Sequence, residues 1–486
     1  MSRQKILDLL YATFPQLAIF VETWYLIPSP LWFYMIDHTV GSILSREGVQ
    51  QGDVIATFLF TLIYGPVLHN IFTRMHAICS SIQLFAILDD ITFTAPTTLA
   101  SRMFAICTEE LASINISTVP NKTHLLINAS DRCNLPSDLH SEIQVHTDGI
   151  RLLGTAIGDD EFLHMFLDQK LRKVQVLLSK VSKLQSLNSK YQILKLSINS
   201  KLRHLLRSLP PSRPPVQAFY SQFDEVIQTF FSNSFHIQDS PAGFSLQSKL
   251  STINGGMGLL ALSDLAPSAF LASLRNMLSE FIIRNPNALN PTSLLRNWSY
   301  ENEAVWAWEK YHSLIDQMNN QGNPTAWSHD SFLALPQHHT QQKLHQIYGQ
   351  AQLTNLISMV EPRRAIKILS AAGTGASSFL SSACSIPGYA LSNTELEVAV
   401  KLRLGCKVHP HISQACICGN EIDTQGDHLL KCKRGNEWDT RHTALKQCMA
   451  AIIRSAHLPV SHEVTIASLA PPDQASPLHR GGWTWS

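Results

Sequence analysis

Two groups of residues in this 486-residue chain have types and spacing suited to chemistry. The first is Asp89-Asp90, inside Ile82–Pro96, IQLFAILDDITFTAP. Apolar, β-prone residues flank the pair on both sides. Adjacent carboxylates at a hairpin tip repel each other. A divalent cation relieves this, and Mg²⁺ prefers hard oxygen ligands with one or two carboxylates. Asp is also a frequent turn residue, and taken alone the pair favours a plain turn. The second group is Cys416, Cys418, His428 and Cys432, within CICGNEIDTQGDHLLKC. Thiolates with one imidazole suit tetrahedral Zn²⁺. His428 and Cys432 stand one helical turn apart, and Gly419 gives the backbone freedom a knuckle needs. Only one residue separates Cys416 from Cys418, where zinc sites usually have two or more. Free buried cysteines are the alternative, and His409 and His411 are second-choice ligands.

The elements that would position the acidic tip lie just upstream. Ser45–Phe60 reads SREGVQQGDVIATFLF. Arg46–Gly52 is expected as a loop. Gly48 and Gly52 let backbone approach a ligand, and Gln51 offers both donor and acceptor. Asp53 can cap the helix that follows. Val54–Phe72 carries no charged residue and nearly reaches membrane-spanning length. Gly65-Pro66 is expected to break it, so a buried helix is the better reading. Ser2–Tyr25 reads as two helical stretches divided at Pro15, Trp32–Ile36 as a strand and Thr98–Ile114 as an amphipathic helix.

Lys170–Arg207 carries ten Lys and Arg, among them Lys170, Lys173 and Lys180, and no Asp or Glu. Leu171, Val174, Leu178 and Val181 give it a helical apolar stripe. A solvated helix face normally mixes signs, because Glu–Lys pairs stabilise it. A face of one sign is favoured when an anion such as a phosphate backbone lies opposite. Leu209–Pro215, LPPSRPP, is a stiff break and a domain boundary. Beyond it the pattern is helical to about Leu404. Asn285–Pro291 reads as a loop, and His338 and His339 as surface residues.

Composition sets wide bounds. Hydrophobic residues make up 45% and charged residues 15%, which allows a sizeable core and excludes global disorder. The formal net charge of +1 leaves nucleic-acid binding to the distribution of charge. The nine cysteines are scattered apart from the C-terminal group. With no signal-peptide pattern at the start, an intracellular setting, nuclear or cytoplasmic, and free thiols are expected.

Gly48, Gln51, Gly52 and Asp53, followed by a long helix and then Asp89-Asp90, resemble the palm of reverse transcriptases of non-LTR retrotransposons. Asn121-Lys122-Thr123, Arg151–Gly158 (RLLGTAIG), Asn254–Leu260 (NGGMGLL) and the Cys-x-Cys-Gly…Gly-Asp-His…Cys segment with Arg441-His442 resemble further parts of that family. The resemblance implies an α+β fold: a partial palm with an antiparallel sheet over 1–160, a basic helical thumb over 161–208, a helical extension over 209–405 and a zinc-knuckle region over 406–486. It implies RNA-directed DNA synthesis on a template–primer duplex of RNA and DNA, with Mg²⁺ as cofactor and no membrane. Asp89 would ligate Mg²⁺ with Asp90 in support, and Lys122 would act at the leaving pyrophosphate. The loop Gly48–Asp53 and Lys170, Lys173 and Lys180 would contact template and primer. Gly154 and Gly158 are expected at turns of a primer-gripping hairpin.

Two-metal phosphoryl transfer needs carboxylates bridging ions about 3.5–4 Å apart. In the family the first palm Asp would fall before Met1, together with the fingers. Asp37 follows an apolar strand but stands too near Gly48 to replace it. Ile87 and Val54 also depart from the family, which prefers an aromatic residue and Pro there. The expectation is therefore a catalytically incomplete, truncated retroelement product, with a non-catalytic RNA- or DNA-binding module as the alternative. Glu463 and Asp473 do not complete a nuclease motif, and no nuclease activity is expected.

Overall fold

The computed structural model describes residues 2–35, 39–284, 301–319, 326–336, 338–381, 391–408, 415–432, 434 and 437–460. Asp37, the loop at Asn285–Pro291, His409, His411, Glu463 and Asp473 lie outside them. The fold is mixed α+β and mostly helical. It divides into two compact units, Met1–Met165 and Phe166–Ser486.

The first unit opens with α1 (Arg3–Thr13) and α2 (Pro15–Tyr25). Pro15 fits the first helical position, where its missing N–H costs nothing. The hairpin β1 (Ser29–Tyr34) with β2 (Val40–Ser45) precedes α3 (Ala56–Ile78). Helix α3 is long and apolar enough to cross a membrane by length and composition. Here its Leu59, Ile63, Val67, Ile71 and Met75 pack into a core with Ile6, Leu10 and Val21. The break expected at Gly65-Pro66 does not occur, because Pro66 lies inside the continuous helix. Both residues are exposed, so water can satisfy the carbonyl that Pro66 deprives of a donor. The buried stripe on the other face holds the helix straight through.

Hairpin β3 (Gln83–Ile87) and β4 (Asp90–Thr94) lays Leu84, Ile91 and Phe93 on the same core. Next comes α4 (Ala100–Ala112), tied to α3 by Arg74, which pairs with Glu109 at 2.6 Å and Glu110 at 2.7 Å. Strands β5 (His124–Leu126) and β6 (Gln144–His146) pair in parallel. Strands β7 (Gly149–Leu152) and β8 (Thr155–Gly158) form an antiparallel hairpin. The single antiparallel sheet expected of a palm is replaced, among the described residues, by four two-stranded ladders, one of them parallel. Of these, β3–β4 lays its apolar side chains on the helical core, whereas β1 and β2 are mostly exposed.

Helix α5 (Asp160–Val181) leads into α6 (Leu187–Gln192), a π-helical turn at Ile193–Ile198 and α7 (Leu205–Ser208). Residues 209–213 separate α7 from α8 (Pro214–Ser234), so the Leu209–Pro215 stretch runs into α8 and lies inside the second unit. Then follow α9 (Phe244–Lys249), α10 (Leu262–Arg284), α11 (Glu301–Asn319), α12 (His329–Leu333), α13 (Thr340–Met359), α14 (Pro362–Ala371) and α15 (Asn393–Leu404). A core of Phe270, Leu274, Ala307, Trp308, Tyr311, Phe332 and Tyr348 joins α10 to α13. Ser392 and Glu395 form a capping box on α15, and Gly405 closes it in the left-handed conformation. The short α16 (Asp427–Lys431) and α17 (Glu437–Ser455) complete the described chain.

Candidate functional site

The acidic tip is a two-residue turn. Ile87 pairs with Asp90 across the hairpin, leaving Leu88 and Asp89 as the loop. Asp89 therefore sits in the turn while Asp90 begins β4. This corrects the expectation that both occupy the bend. Leu88 takes φ 55°, a left-handed conformation that costs an L-residue about 1–2 kcal/mol. Both carboxylates are exposed. They lie near enough to Tyr64 of α3 to help burial and Cys107 raise its phenol to about 12. Among the described residues, no third His, Cys, Asp or Glu joins Asp89 and Asp90 in a ligand-sized cluster.

The loop before α3 is held from behind by residues that sequence reasoning passed over. Arg3, 6% exposed, donates to the Gly48 carbonyl at 3.0 Å and the Ser45 carbonyl at 2.8 Å. Its guanidinium also lies over the Tyr25 ring. The Tyr25 hydroxyl donates to Asp53, whose other carboxylate oxygen accepts from the Ile55 N–H at 3.1 Å. Asp53 is thus engaged inside the loop and does not cap α3 as expected: the N-cap residue is Ile55, and no side chain caps the helix. Burial, with Asp53 as acceptor, pushes the Tyr25 phenol up. Gly48 and Gly52 both take positive φ with open space around them, and Gln51 is exposed. Lys122 is exposed on a 3₁₀ turn, and among the described residues no hydrogen bond or ion pair links it to Asp89 or Asp90. A cavity of about 750 Å³ lies at the other end of β4, lined by Pro96, Asn128, Asp131, Asp148 and Asp159. Gly158 is among its lining residues, but Asp89, Asp90, Lys122 and the Gly48–Asp53 loop are not.

The basic run resolves into an exposed face and an inward set. On α5, Arg172, Lys173 and Lys180 share one face and are exposed. Arg172 pairs with Asp168, one turn back, at 2.9 Å. Lys170 lies half-buried over the Phe166 ring, with its nitrogen 4.9 Å from the ring centre. Two of the ten turn inward, contrary to a uniformly basic face. Burial lowers the pKa of both Lys195, which lies over Tyr191, and Arg203.

Gly154 stands in the two-residue turn between β7 and β8, with Leu153 at φ 48° and itself at φ 84°. Gly158 is no turn residue. It ends β8, where a Cβ would fall 2.5 Å from the Asp148 carbonyl oxygen. The Asn254–Leu260 segment is a packing device: Arg403 donates to the Gly256 and Thr252 carbonyls, and a Cβ on Gly256 would meet the Leu250 carbonyl at 2.2 Å.

The four C-terminal ligand candidates converge. Their donor atoms all lie within 4.8 Å of one another. Cys416 and Cys432 sulfurs are 3.5 Å apart, and Cys418 sulfur is 3.2 Å from His428 Nε2. Tetrahedral Zn²⁺ would space such atoms roughly 3.6–3.8 Å apart, so these two pairs would open by a few tenths of an ångström and the wider ones close by up to about 1 Å to take the ion. The tight Cys-x-Cys spacing is made possible by a turn in which Gly419 N–H donates to the Cys416 carbonyl and Cys416 N–H to Asn420. Gly419 takes φ 84° there. The Asn420 N–H at its sulfur holds the Cys418 thiol down at about 7. The Asp423 carboxylate accepts from the N–H groups of Asp427 and His428, fixing the start of α16. This Cys₃His cluster can hold a metal ion. Asp427 was not singled out from sequence. The available signal was α14, which carries Arg363, Arg364 and Lys367 and no acid.

No protein-family model matches this chain, and no curated protein matches it.

Proposed function

We propose that this chain is a nucleic-acid-binding protein of the non-LTR reverse-transcriptase lineage, with zinc in its C-terminal knuckle. The observation that carries the reading is the juxtaposition in the first unit. The Gly48–Asp53 loop opens α3, and the β3–β4 hairpin returns over that helix with Asp89 at its tip beside Tyr64. Two motifs about forty residues apart meet on one core in the order a polymerase palm uses. Asp89 is the metal-facing carboxylate of this reading and would take Mg²⁺, Asp90 supports it, and Lys122 acts at the leaving pyrophosphate.

Two Mg²⁺ need carboxylates on both sides. Among the described residues Asp89 and Asp90 supply one side and no carboxylate joins them on the other, so the activity proposed is binding to RNA–DNA duplex rather than extension. The exposed face of Arg172, Lys173 and Lys180 supplies cations for phosphate. The Cys₃His donor set is the chemistry Zn²⁺ prefers, and the ion would cross-link the turn at Cys416–Gly419 to α16.

The test is duplex binding across a salt series, alongside Mg²⁺-dependent primer extension. Binding should weaken steeply with salt and survive Asp89→Ala. Salt-indifferent binding, or none, overturns the reading. Extension abolished by Asp89→Ala would make the chain an active polymerase.

A further inference from the structure

We propose that His124 and His146 form a second, solvent-facing site for a transition-metal ion of the Zn²⁺, Ni²⁺ or Cu²⁺ class. The site is separate from both the acidic tip and the Cys₃His cluster.

Strands β5 and β6 run parallel, with His124 opposite Gln144 and Leu126 opposite His146. Residues two apart on a strand share a face, so both imidazoles stand on the same side of the ladder. His124 Nδ1 and His146 Nε2 are 3.0 Å apart, with ring centres 5.2 Å apart. Two nitrogens bound to one such ion at about 2.0–2.1 Å lie roughly 2.9–3.4 Å apart for bond angles between 90° and tetrahedral. The observed spacing falls inside that range.

The backbone holds the pair in place. The Ile127 N–H donates to the His146 carbonyl and the Gln144 N–H to the Thr123 carbonyl, both at 3.0 Å. Gln144 Nε2 donates to the Asn121 carbonyl at 2.9 Å. His124 is exposed and His146 partly so. An ion can therefore enter from solvent and complete its shell with water. Two imidazoles select borderline metals and reject Mg²⁺, which wants hard oxygen ligands. The ladder is three residues long, so an ion bridging its strands would act as a clip. Because Gln144 is bonded to Asn121, the clip would also steady the turn carrying Lys122.

The experiment uses the full chain with the Cys₃His cluster loaded with zinc beforehand, at mildly alkaline pH. Ni²⁺ is titrated by calorimetry, Cu²⁺ by electron paramagnetic resonance, and hydrogen exchange is followed over 122–147. The unsubstituted chain should bind one more ion than either His124→Ala or His146→Ala. Losing one of two protein ligands should weaken that site by roughly tenfold or more. Ni²⁺ should slow exchange in both strands, and neither variant should show this. His204→Ala, an exposed histidine elsewhere, should behave like the parent. Unchanged zinc content and circular dichroism establish that each variant is folded. Equal stoichiometry and equal exchange in parent and variants would mean that the two rings share only an N–H···N bond, and the proposal fails.

Discussion

The Lys367 ammonium lies 2.6 and 2.8 Å from the two carboxylate oxygens of Asp427. Arg363, one helical turn earlier on α14, reaches the same carboxylate at 2.8 Å. Asp427 immediately precedes His428, so this pairing anchors the Cys₃His turn to the helical body of the second unit. The Asp427 side chain is only 9% exposed, whereas Arg363 is 63% exposed. The cluster is thus positioned by a buried acid whose cations are partly screened by water.

Asp427→Ala should therefore do two things. Removing a buried carboxylate from two cations costs about 3–5 kcal/mol when both sides are buried, and less here because the cations reach solvent. A loss of roughly 1–3 kcal/mol in chemical denaturation is expected. Zinc held by the neighbouring His428 should weaken roughly 10- to 100-fold, as when an outer-shell partner is removed. A chelator competition assay measures this, and an unchanged affinity would separate the anchor from the metal site.

Neutralising Lys173 and Lys180 should change the salt dependence of duplex binding, not its base preference. Each phosphate contact contributes a slope of about 0.9 in log K against log salt for B-form duplex. Lys173→Gln with Lys180→Gln should reduce the slope by about 2 if both touch phosphate. Lys195→Gln should leave the slope nearly unchanged, because Lys195 lies half-buried against Tyr191.

His345 makes the second unit acid-sensitive. Burial, then the nearby Arg203 and Arg207, lowers its pKa from 6.5 to about 4. Between those values the unfolded chain binds more protons than the folded one. Stability therefore falls as pH drops from 6.5 through about 4. The full effect is on the order of 3 kcal/mol. His345→Gln should flatten the stability profile over that window, read from denaturation midpoints. A variant as acid-sensitive as the parent would assign the loss to other groups.

Two glycine substitutions should move stability in opposite directions. At Gly158 a new Cβ would press on backbone of both Asp148 and Gly149, so Gly158→Ala should lose at least about 1–3 kcal/mol. Gly65 lies within α3 with nothing but its chain neighbours near its Cβ direction. Pro66 Cδ would crowd a new Cβ and offset part of the helix-propensity gain, so Gly65→Ala should gain only about 0.5 kcal/mol or less. Melting temperature measures both.

Much of the local structure was legible because period and punctuation are local properties. The division of α1 from α2 at Pro15, the apolar arms of the β3–β4 hairpin and the stripe on α5 follow from residue spacing alone. So does the Cys₃His donor set, whose four members are close in sequence and rich in information by type. Gly65-Pro66 was misjudged for the converse reason. A helix breaker acts on local hydrogen bonds, while the packing that overrides it comes from α1 and α4, distant in the chain.

What the sequence determined by itself is which residues have types and spacing suited to chemistry: Asp89 and Asp90, the basic residues of α5, and Cys416, Cys418, His428 and Cys432. Tertiary structure decided which of them face solvent and which are engaged. It placed Asp53 against Tyr25 and turned Arg203 inward. It brought Lys367 to Asp427 across sixty positions, and His124 to His146 across a parallel ladder. Such pairings depend on how separate elements bury their apolar faces together. No window of neighbouring residues contains that information, because the free energy that selects the arrangement is shared by the whole core.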